Sequence, residues 1–159
     1  LGWAAKIPRA RVMLHELDSA IVAEFDARGL GGTWYFAPAL EKAYELNATY
    51  AANPHMLAEA PLLGALELGK TYGEPLATQL RTMIAMQDGA RRVLLPVDVR
   101  FEKAADGTSG VAVMKLVLVD ARTTEFLWVH DVRSDPAPAF SPAVLRSLAN
   151  HFADLVAAP

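Results

Sequence analysis

Apolar and polar residues alternate regularly between residues 92 and 101, and a period of two residues is typical of a pleated strand with one apolar face. Residues 111–119 are almost wholly apolar, which predicts a second strand that is covered on both faces. Residues 125–133 are rich in aromatic and β-branched side chains and predict a third strand. Together these stretches predict a three-stranded antiparallel meander over 91–133. The apolar face of the first strand consists of Val93, Leu95, Val97, Val99 and Phe101.

Inward-facing residues recur every three or four positions in four other stretches, the spacing of an amphipathic helix. Residues 9–28, 37–53 and 75–87 are predicted helices, and a fourth begins at Pro142 with Ser141 as its N-cap. Gly29 suits the left-handed residue that commonly ends a helix. The residues predicted to face inward are Leu14, Leu17, Ile21 and Phe25, then Leu40, Ala43, Tyr44, Asn47 and Ala51, then Leu76, Leu80, Met83 and Ile84, and finally Leu145, Leu148, Phe152, Leu155 and Val156.

The segments between these elements complete the predicted architecture. Residues 33–36 are predicted as a short extra strand because of their aromatic content, and 55–74 as a loop with a short helix. Pro96 lacks a backbone N–H and places the first strand of the meander at a sheet edge or a bulge. The fold class is therefore α/β (α+β): a three-stranded antiparallel meander plus a short extra strand, packed with about four helices. Residues 1–159 are predicted to form a single domain, with 1–7 as an extended terminal segment.

Composition narrows the classes of protein that this chain fits. Although 53% of its residues are hydrophobic, no run reaches the roughly 18–20 apolar residues that a bilayer span needs. A formal net charge of −3 and scattered basic residues argue against a nucleic-acid partner. The absence of cysteine excludes disulfides, thiolate metal sites and cysteine nucleophiles. The chain begins at Leu1 and shows no targeting segment, so a preceding signal or lipid-bearing segment is left open.

The motifs that would indicate catalysis are incomplete. His15-Glu16 resembles the start of a zinc-protease helix, but Ser19 stands where the second histidine is needed. The glycine-rich residues 29–32 follow a helix, whereas a phosphate-binding loop leads from a strand into a helix. Ser109 lies in a hairpin loop without the spacing of a nucleophile elbow. We therefore predict no catalytic residue, no metal site and no cofactor.

Two groups of side chains allow more than one interpretation. Four carboxylates fall on or beside the predicted strands, where a close pair would suit glycoside chemistry, but opposite charges pairing on a polar sheet face explain them better. Trp34 and Trp128 could form a stack for a ligand, but they are better interpreted as core or sheet-face aromatics. Trp3, in an apolar terminal segment, either contacts a partner or membrane surface or folds back on the domain. The four carboxylates are Asp98, Glu102, Asp131 and Asp135.

Residues 120–128, Asp-Ala-Arg-Thr-Thr-Glu-Phe-Leu-Trp, carry a family resemblance. The segment resembles a turn in bacterial envelope proteins that include the curli-secretion lipoprotein, penicillin-binding-protein activator lipoproteins and the amino-terminal domain of TolB. Leu118-Val119-Asp120 and Leu127-Trp128 match that turn, while Thr124 replaces the usual glycine. The family's opening strand and lipid-bearing cysteine have no counterpart here. The resemblance implies an α/β sandwich-like domain outside the cytoplasmic membrane that binds rather than catalyses.

These observations favour a non-enzymatic periplasmic, membrane-associated subunit, accessory or structural, that docks on a larger membrane or envelope assembly through a protein partner. The alternative is a small ligand-binding or hydrolytic domain whose site lies between the helices and the polar sheet face, around Arg100, Asp98 and His130. The residues predicted to contact the partner are Trp3, Ile7, Pro136, Pro138 and Phe140.

Overall fold

A computed structural model describes residues 6–48, 53–54, 66–87 and 89–158. The helices are α1 (Ala10–Ala27), α2 (Ala37–Leu46), α3 (Leu76–Ala85) and α4 (Pro142–Ala157). The strands are β1 (Arg92–Lys103), β2 (Gly110–Asp120) and β3 (Phe126–Arg133), which form an antiparallel sheet in the order β1-β2-β3. The α+β class, the meander and the four helices are confirmed, and Pro96 lies in an edge strand. No helix in the described ranges has the length and apolar character to cross a bilayer.

The chain forms two compact units, each assembled from separate stretches. The described residues of the first unit are 6–34, 99–114 and 132–158, and those of the second lie within 35–98 and 115–131. All three strands contribute residues to both units. The expectation of a single domain over 1–159 stays a prediction.

In the first unit, α1 packs against α4 through their buried stripes. Phe25, only 1% exposed, lies at the centre, with its ring 5.5 Å from that of Trp34 and 5.3 Å from that of Phe152. The prediction for Leu14 was wrong, because this side chain is 40% exposed and the buried stripe begins at Met13 instead. The buried residues of the two helices are Met13, Leu17, Ile21 and Phe25 in α1 and Val144, Leu145, Leu148, Ala149, Phe152 and Ala153 in α4.

In the second unit, α3 contributes Leu80 and Met83 to a core formed with the strands. Residues 69–72 lie beside the start of β3, where Thr71 forms an antiparallel bridge with Glu125. Tyr72 packs edge-to-face on Phe126, with ring centroids 5.1 Å apart, and its burial raises the pKa of the phenol. The predicted loop over 55–74 is described only from residue 66, and its remainder lies outside the described residues.

Two predictions about the segment after α1 are corrected. The extra strand over 33–36 is absent, and Gly31–Thr33 forms a 3₁₀ turn in which the Thr33 N–H donates to the Leu30 carbonyl at 3.0 Å. Aromatic content favours a strand only where a neighbouring strand can pair with it, and here Trp34 packs on Phe25 instead. Helix α2 ends at Leu46, short of the predicted residue 53, and 49–52 lie outside the described residues.

The end of α1 requires a left-handed residue. Gly29 has φ +71°, and the Leu30 N–H donates to the Phe25 carbonyl at 2.9 Å, which closes a Schellman motif. We expect Gly29→Ala to lower the free energy of unfolding by about 1 kcal/mol, since a side chain is disfavoured at this φ. Gly32→Ala is the matched control because an added Cβ meets nothing within 4 Å at either position. Urea unfolding measures both, and equal losses would contradict the assignment.

In each hairpin loop an aspartate carboxylate accepts hydrogen bonds from backbone N–H groups. Asp106 Oδ1 accepts the backbone N–H groups of Thr108 and Ser109 at 2.9 and 2.8 Å, and the hydrogen bonds to Ser109 are the main cause that lowers the pKa of Asp106 to about 2. Asp120 accepts the N–H groups of the two residues that follow Ala121, at 2.9 and 2.8 Å, which lowers its pKa as well. In the second loop Thr124 has φ +62° and is buried, so a residue other than glycine adopts the left-handed conformation there.

These lowered pKa values predict how stability depends on pH. The stabilisation is fully present above the ordinary carboxyl pKa of about 4, and it is lost as the pH falls toward the folded-state value of about 2 at Asp106. Asparagine accepts the same N–H groups without titrating, so the double variant Asp106→Asn with Asp120→Asn should lose less stability across this range. Urea unfolding from pH 5 downward measures the difference. Curves parallel to those of the wild type would contradict the prediction.

Candidate functional site

Residues 134–141, which connect β3 to α4, contain three of the five predicted contact residues, and we call them the proline connector. Its first residue, Ser134, is 4% exposed. The Ser134 Oγ accepts the Ala112 N–H at 2.9 Å and donates to the Asp135 carbonyl at 3.0 Å. The Ser134 N–H donates to the Ala112 carbonyl at 2.9 Å. The connector therefore begins with a residue that is fixed to β2.

The middle and end of the proline connector are also fixed. Ala137 and Gly110 exchange two backbone hydrogen bonds of 2.9 Å in an isolated antiparallel bridge. Phe140 is only 6% exposed and packs edge-to-face on Phe101, with ring centroids 5.5 Å apart. Its ring lies among the buried residues of the first unit, and the predicted contact of Phe140 with a partner stays a prediction.

A polar clasp joins the proline connector to α4. The Asp135 N–H donates to Ser147 Oγ, and that hydroxyl donates back to Asp135 Oδ2, both at 2.8 Å. His151 lies one turn further along the helix, with Nδ1 2.6 Å from the Arg133 carbonyl oxygen and Nε2 3.5 Å from Asp135 Oδ1. Since a carbonyl oxygen can only accept, Nδ1 carries the proton in this contact. Sequence reasoning did not single out Ser147, although its four-residue spacing from His151 puts both on one helix face.

The clasp has the residue types of a hydrolase triad in a different order. In a catalytic triad the histidine lies between serine and carboxylate and removes the serine proton. Here Asp135 lies between Ser147 and His151 and binds the serine hydroxyl directly. These contacts join the proline connector to α4, and their order differs from that of a catalytic triad.

The proline connector thus presents two prolines between fixed neighbours. Pro136 and Pro138 are exposed, while Ser134, Ala137 and Phe140 on either side are held by hydrogen bonds or packing. Proline has a fixed φ and no backbone N–H to hydrogen-bond, so the exposed ridge is both stiff and apolar. Of the other predicted contact residues, Ile7 is half-buried and Trp3 lies outside the described residues.

An open groove of about 390 Å³ lies between α1 and α4. Its polar lining is His15, Glu16, Ser19 and Arg146. Ser19 Oγ donates to the His15 carbonyl at 2.9 Å, so the residue that replaces the second histidine of the zinc motif bonds to its own helix. Within the described residues, no three histidine or carboxylate side chains lie together as metal ligands would.

Two residues of the alternative site, Arg100 and His130, contact neighbours in their own unit. In the first unit, Glu102 accepts from Arg100 Nε at 2.7 Å and pairs with Arg133 at 2.8 Å, and the bond from Arg100 is the main cause that lowers the pKa of Glu102. In the second unit, the His130 ring stacks on Trp128 with centroids 5.1 Å apart.

Two of the candidate carboxylates, Asp131 and Asp135, contact different partners. Lys115 Nζ lies 3.5 Å from Asp131 Oδ1, Asp135 belongs to the clasp, and Asp98 is half-buried on β1. Opposite charges on a polar sheet face, the second interpretation above, account for the pairs at Glu102 and Asp131.

No protein-family model matches this chain, and comparisons with curated proteins and with solved structures find no match either. The resemblance of residues 120–128 to envelope lipoproteins therefore stays a prediction.

Proposed function

We propose that this chain is a non-enzymatic periplasmic accessory subunit of a larger membrane or envelope assembly, and that the proline connector forms part of the surface that docks on its protein partner. The observation that carries the proposal is the exposure of Pro136 and Pro138 on a segment whose neighbouring residues are fixed. A surface with this construction is suited to binding.

The rigidity of the proline connector favours association. Ordering a mobile segment at an interface costs about 0.5–1.5 kcal/mol per immobilised side chain, and a segment that is already ordered avoids much of that cost. Proline-containing ridges also fit aromatic-lined grooves on partner proteins, because the ridge is preformed and apolar. A partner with such a groove would bury both rings without leaving a backbone donor of either proline unsatisfied.

The polar side chains support a role in binding. Three side chains of types that often act in catalysis instead hold the proline connector on α4. They are Asp135, Ser147 and His151. The Glu102 carboxylate forms ion pairs with Arg100 and Arg133. The periplasmic location and the membrane assembly are supported by the resemblance at residues 118–128.

Affinity purification from gently solubilised membranes of the native host tests the proposal. The wild-type chain should recover a defined partner, and the double variant Pro136→Glu with Pro138→Glu should recover at least about tenfold less, since each glutamate would be desolvated at the interface. Pro38→Glu is the control, because Pro38 is also exposed but lies at the start of α2. Matching thermal unfolding curves establish that all variants fold.

Two results would overturn this function. Recovery of only the free wild-type chain would contradict its membership of a larger assembly. Equal recovery of the partner by the double variant would show that the proline connector is not part of the interface.

A further inference from the structure

The segment where α1 begins differs in charge from the rest of the chain. Residues 6–14 contain three basic residues and no acidic residue, so the remaining residues carry a formal charge of −6 within a total of −3. We call this segment the basic end of α1. All three of its cations are exposed, and they lie beside exposed aliphatic side chains, with Val12 50% and Leu14 40% exposed. The cations are Lys6, Arg9 and Arg11.

Stability of the fold does not explain these cations. In the described part of the chain, no hydrogen bond or ion pair involves the side chains of Lys6, Arg9 or Arg11. The first turn of α1 has no acidic residue, and cations near the positive end of a helix dipole destabilise the helix. These cations lower the stability of the helix, and no contact within the described residues compensates for that loss. Residues that cost stability in this way are typical of surfaces that bind another molecule.

Arg11 and the two exposed aliphatic side chains lie in the first turns of α1, whereas Arg9 is the N-cap of the helix and Lys6 precedes it. Leu14 and His15 lie three and four residues after Arg11, which makes them its neighbours on the helix surface. Val12 adds a second exposed aliphatic side chain on the adjoining side. Exposed cationic and aliphatic residues close together in one segment suit the headgroup region of a bilayer, where cations meet anionic headgroups and aliphatic side chains reach the acyl boundary.

We propose that the basic end of α1 docks on a bilayer surface that contains anionic lipid headgroups. Each lysine or arginine near such a surface strengthens binding roughly fivefold, so three together supply about a hundredfold. The aliphatic side chains favour lipid over an acidic protein because they can enter the boundary between headgroups and acyl chains.

This inference deepens the proposed function, because it rests on the chain acting at a membrane assembly, but its test uses lipid alone. Vesicle flotation compares phosphatidylcholine vesicles with vesicles in which roughly one third of the lipid is phosphatidylglycerol. The wild-type chain should float only with the anionic vesicles, and about 0.5 M salt should weaken the binding. Replacing Lys6, Arg9 and Arg11 by glutamate should reduce partitioning about a hundredfold or more.

The triple variant should remain folded, because acidic residues suit the first turn of a helix. Its control makes the same change in net charge at three other exposed basic residues, Lys42, Arg91 and Lys103. Replacing Val12 and Leu14 by serine should weaken binding further at high salt, where the aliphatic contribution remains.

Several results would overturn the inference. They are no flotation of the wild type, equal flotation with both kinds of vesicle, or an equal loss in the control. Binding of the wild type to an acidic protein but not to vesicles would assign the basic end of α1 to protein recognition instead. The Pro136→Glu and Pro138→Glu double variant should still float, so failure of protein docking and failure of lipid docking are distinguishable.

Discussion

Replacement of Phe25 by alanine is expected to lower the free energy of unfolding by about 3–5 kcal/mol, the largest effect of any change considered for this chain. The ring is 1% exposed and lies against Trp34 and Phe152, so it joins α1, the segment that follows it and α4. Its removal leaves a cavity that these neighbours cannot fill without moving, and the lost contacts add to the lost burial. Urea unfolding monitored by tryptophan fluorescence measures the change.

The control for this prediction lies on the same helix. Val12→Ala removes an aliphatic side chain that is 50% exposed, and it should change the free energy of unfolding by no more than about 0.5 kcal/mol. A loss below about 1 kcal/mol for Phe25→Ala would contradict the packing of α1 against α4.

The second large effect concerns Arg28 at the end of α1. Its guanidinium donates to Glu24 Oε2 at 2.7 Å, to Asn150 Oδ1 at 2.6 Å and to Asp154 Oδ1 at 2.6 Å, while the side chain is only 19% exposed. The hydrogen bonds to Glu24 and Asp154 raise the pKa of Arg28 further above its ordinary value. Arg28→Met keeps the aliphatic stem but removes every donor, and should lower the free energy of unfolding by about 2 kcal/mol.

Two further variants separate geometry from charge. Arg28→Lys retains the charge but lacks the planar fork, so it should recover only part of the loss. Arg81→Met is the control, because Arg81 is 47% exposed and contacts Glu74 at 3.4 Å, and it should cost less than about 1 kcal/mol. Equal losses for Arg28→Met and Arg81→Met would show that the network at Arg28 contributes no more than a surface pair.

Regular periodicity explains which parts of the fold could be predicted from the sequence. The first strand has a clear period of two and the helices a period of three to four, while the other two strands are marked by apolar and β-branched runs. Apart from the end of α2, each element was found within a few positions. The errors arose where local propensity competes with packing. The aromatic segment at 33–36 pairs with no strand in the described part of the chain. On α1, Met13 is buried in the core, whereas Leu14, the residue after it, is exposed.

The candidate site was only partly predictable for the same reason. The closely spaced prolines predict an extended connector from the sequence alone. The rigidity of this connector depends on contacts between residues that are far apart in the sequence. Ser134 bonds to Ala112, 22 residues earlier, and Ser147 bonds to Asp135 across 12 residues. No local pattern predicts such pairs, because they form only after β3 and α4 have packed. The burial of Phe140 depends likewise on Phe101, which belongs to β1.

The claim that the proline connector docks on a protein partner is tested most directly by site-specific photocrosslinking in native membranes. A photoreactive residue is introduced separately at Pro136, Pro138 and Pro38, and irradiation precedes solubilisation. We predict that positions 136 and 138 crosslink to one and the same membrane-assembly protein and that position 38 does not. Crosslinks from position 38 alone, or no crosslink from 136 and 138, would contradict the account.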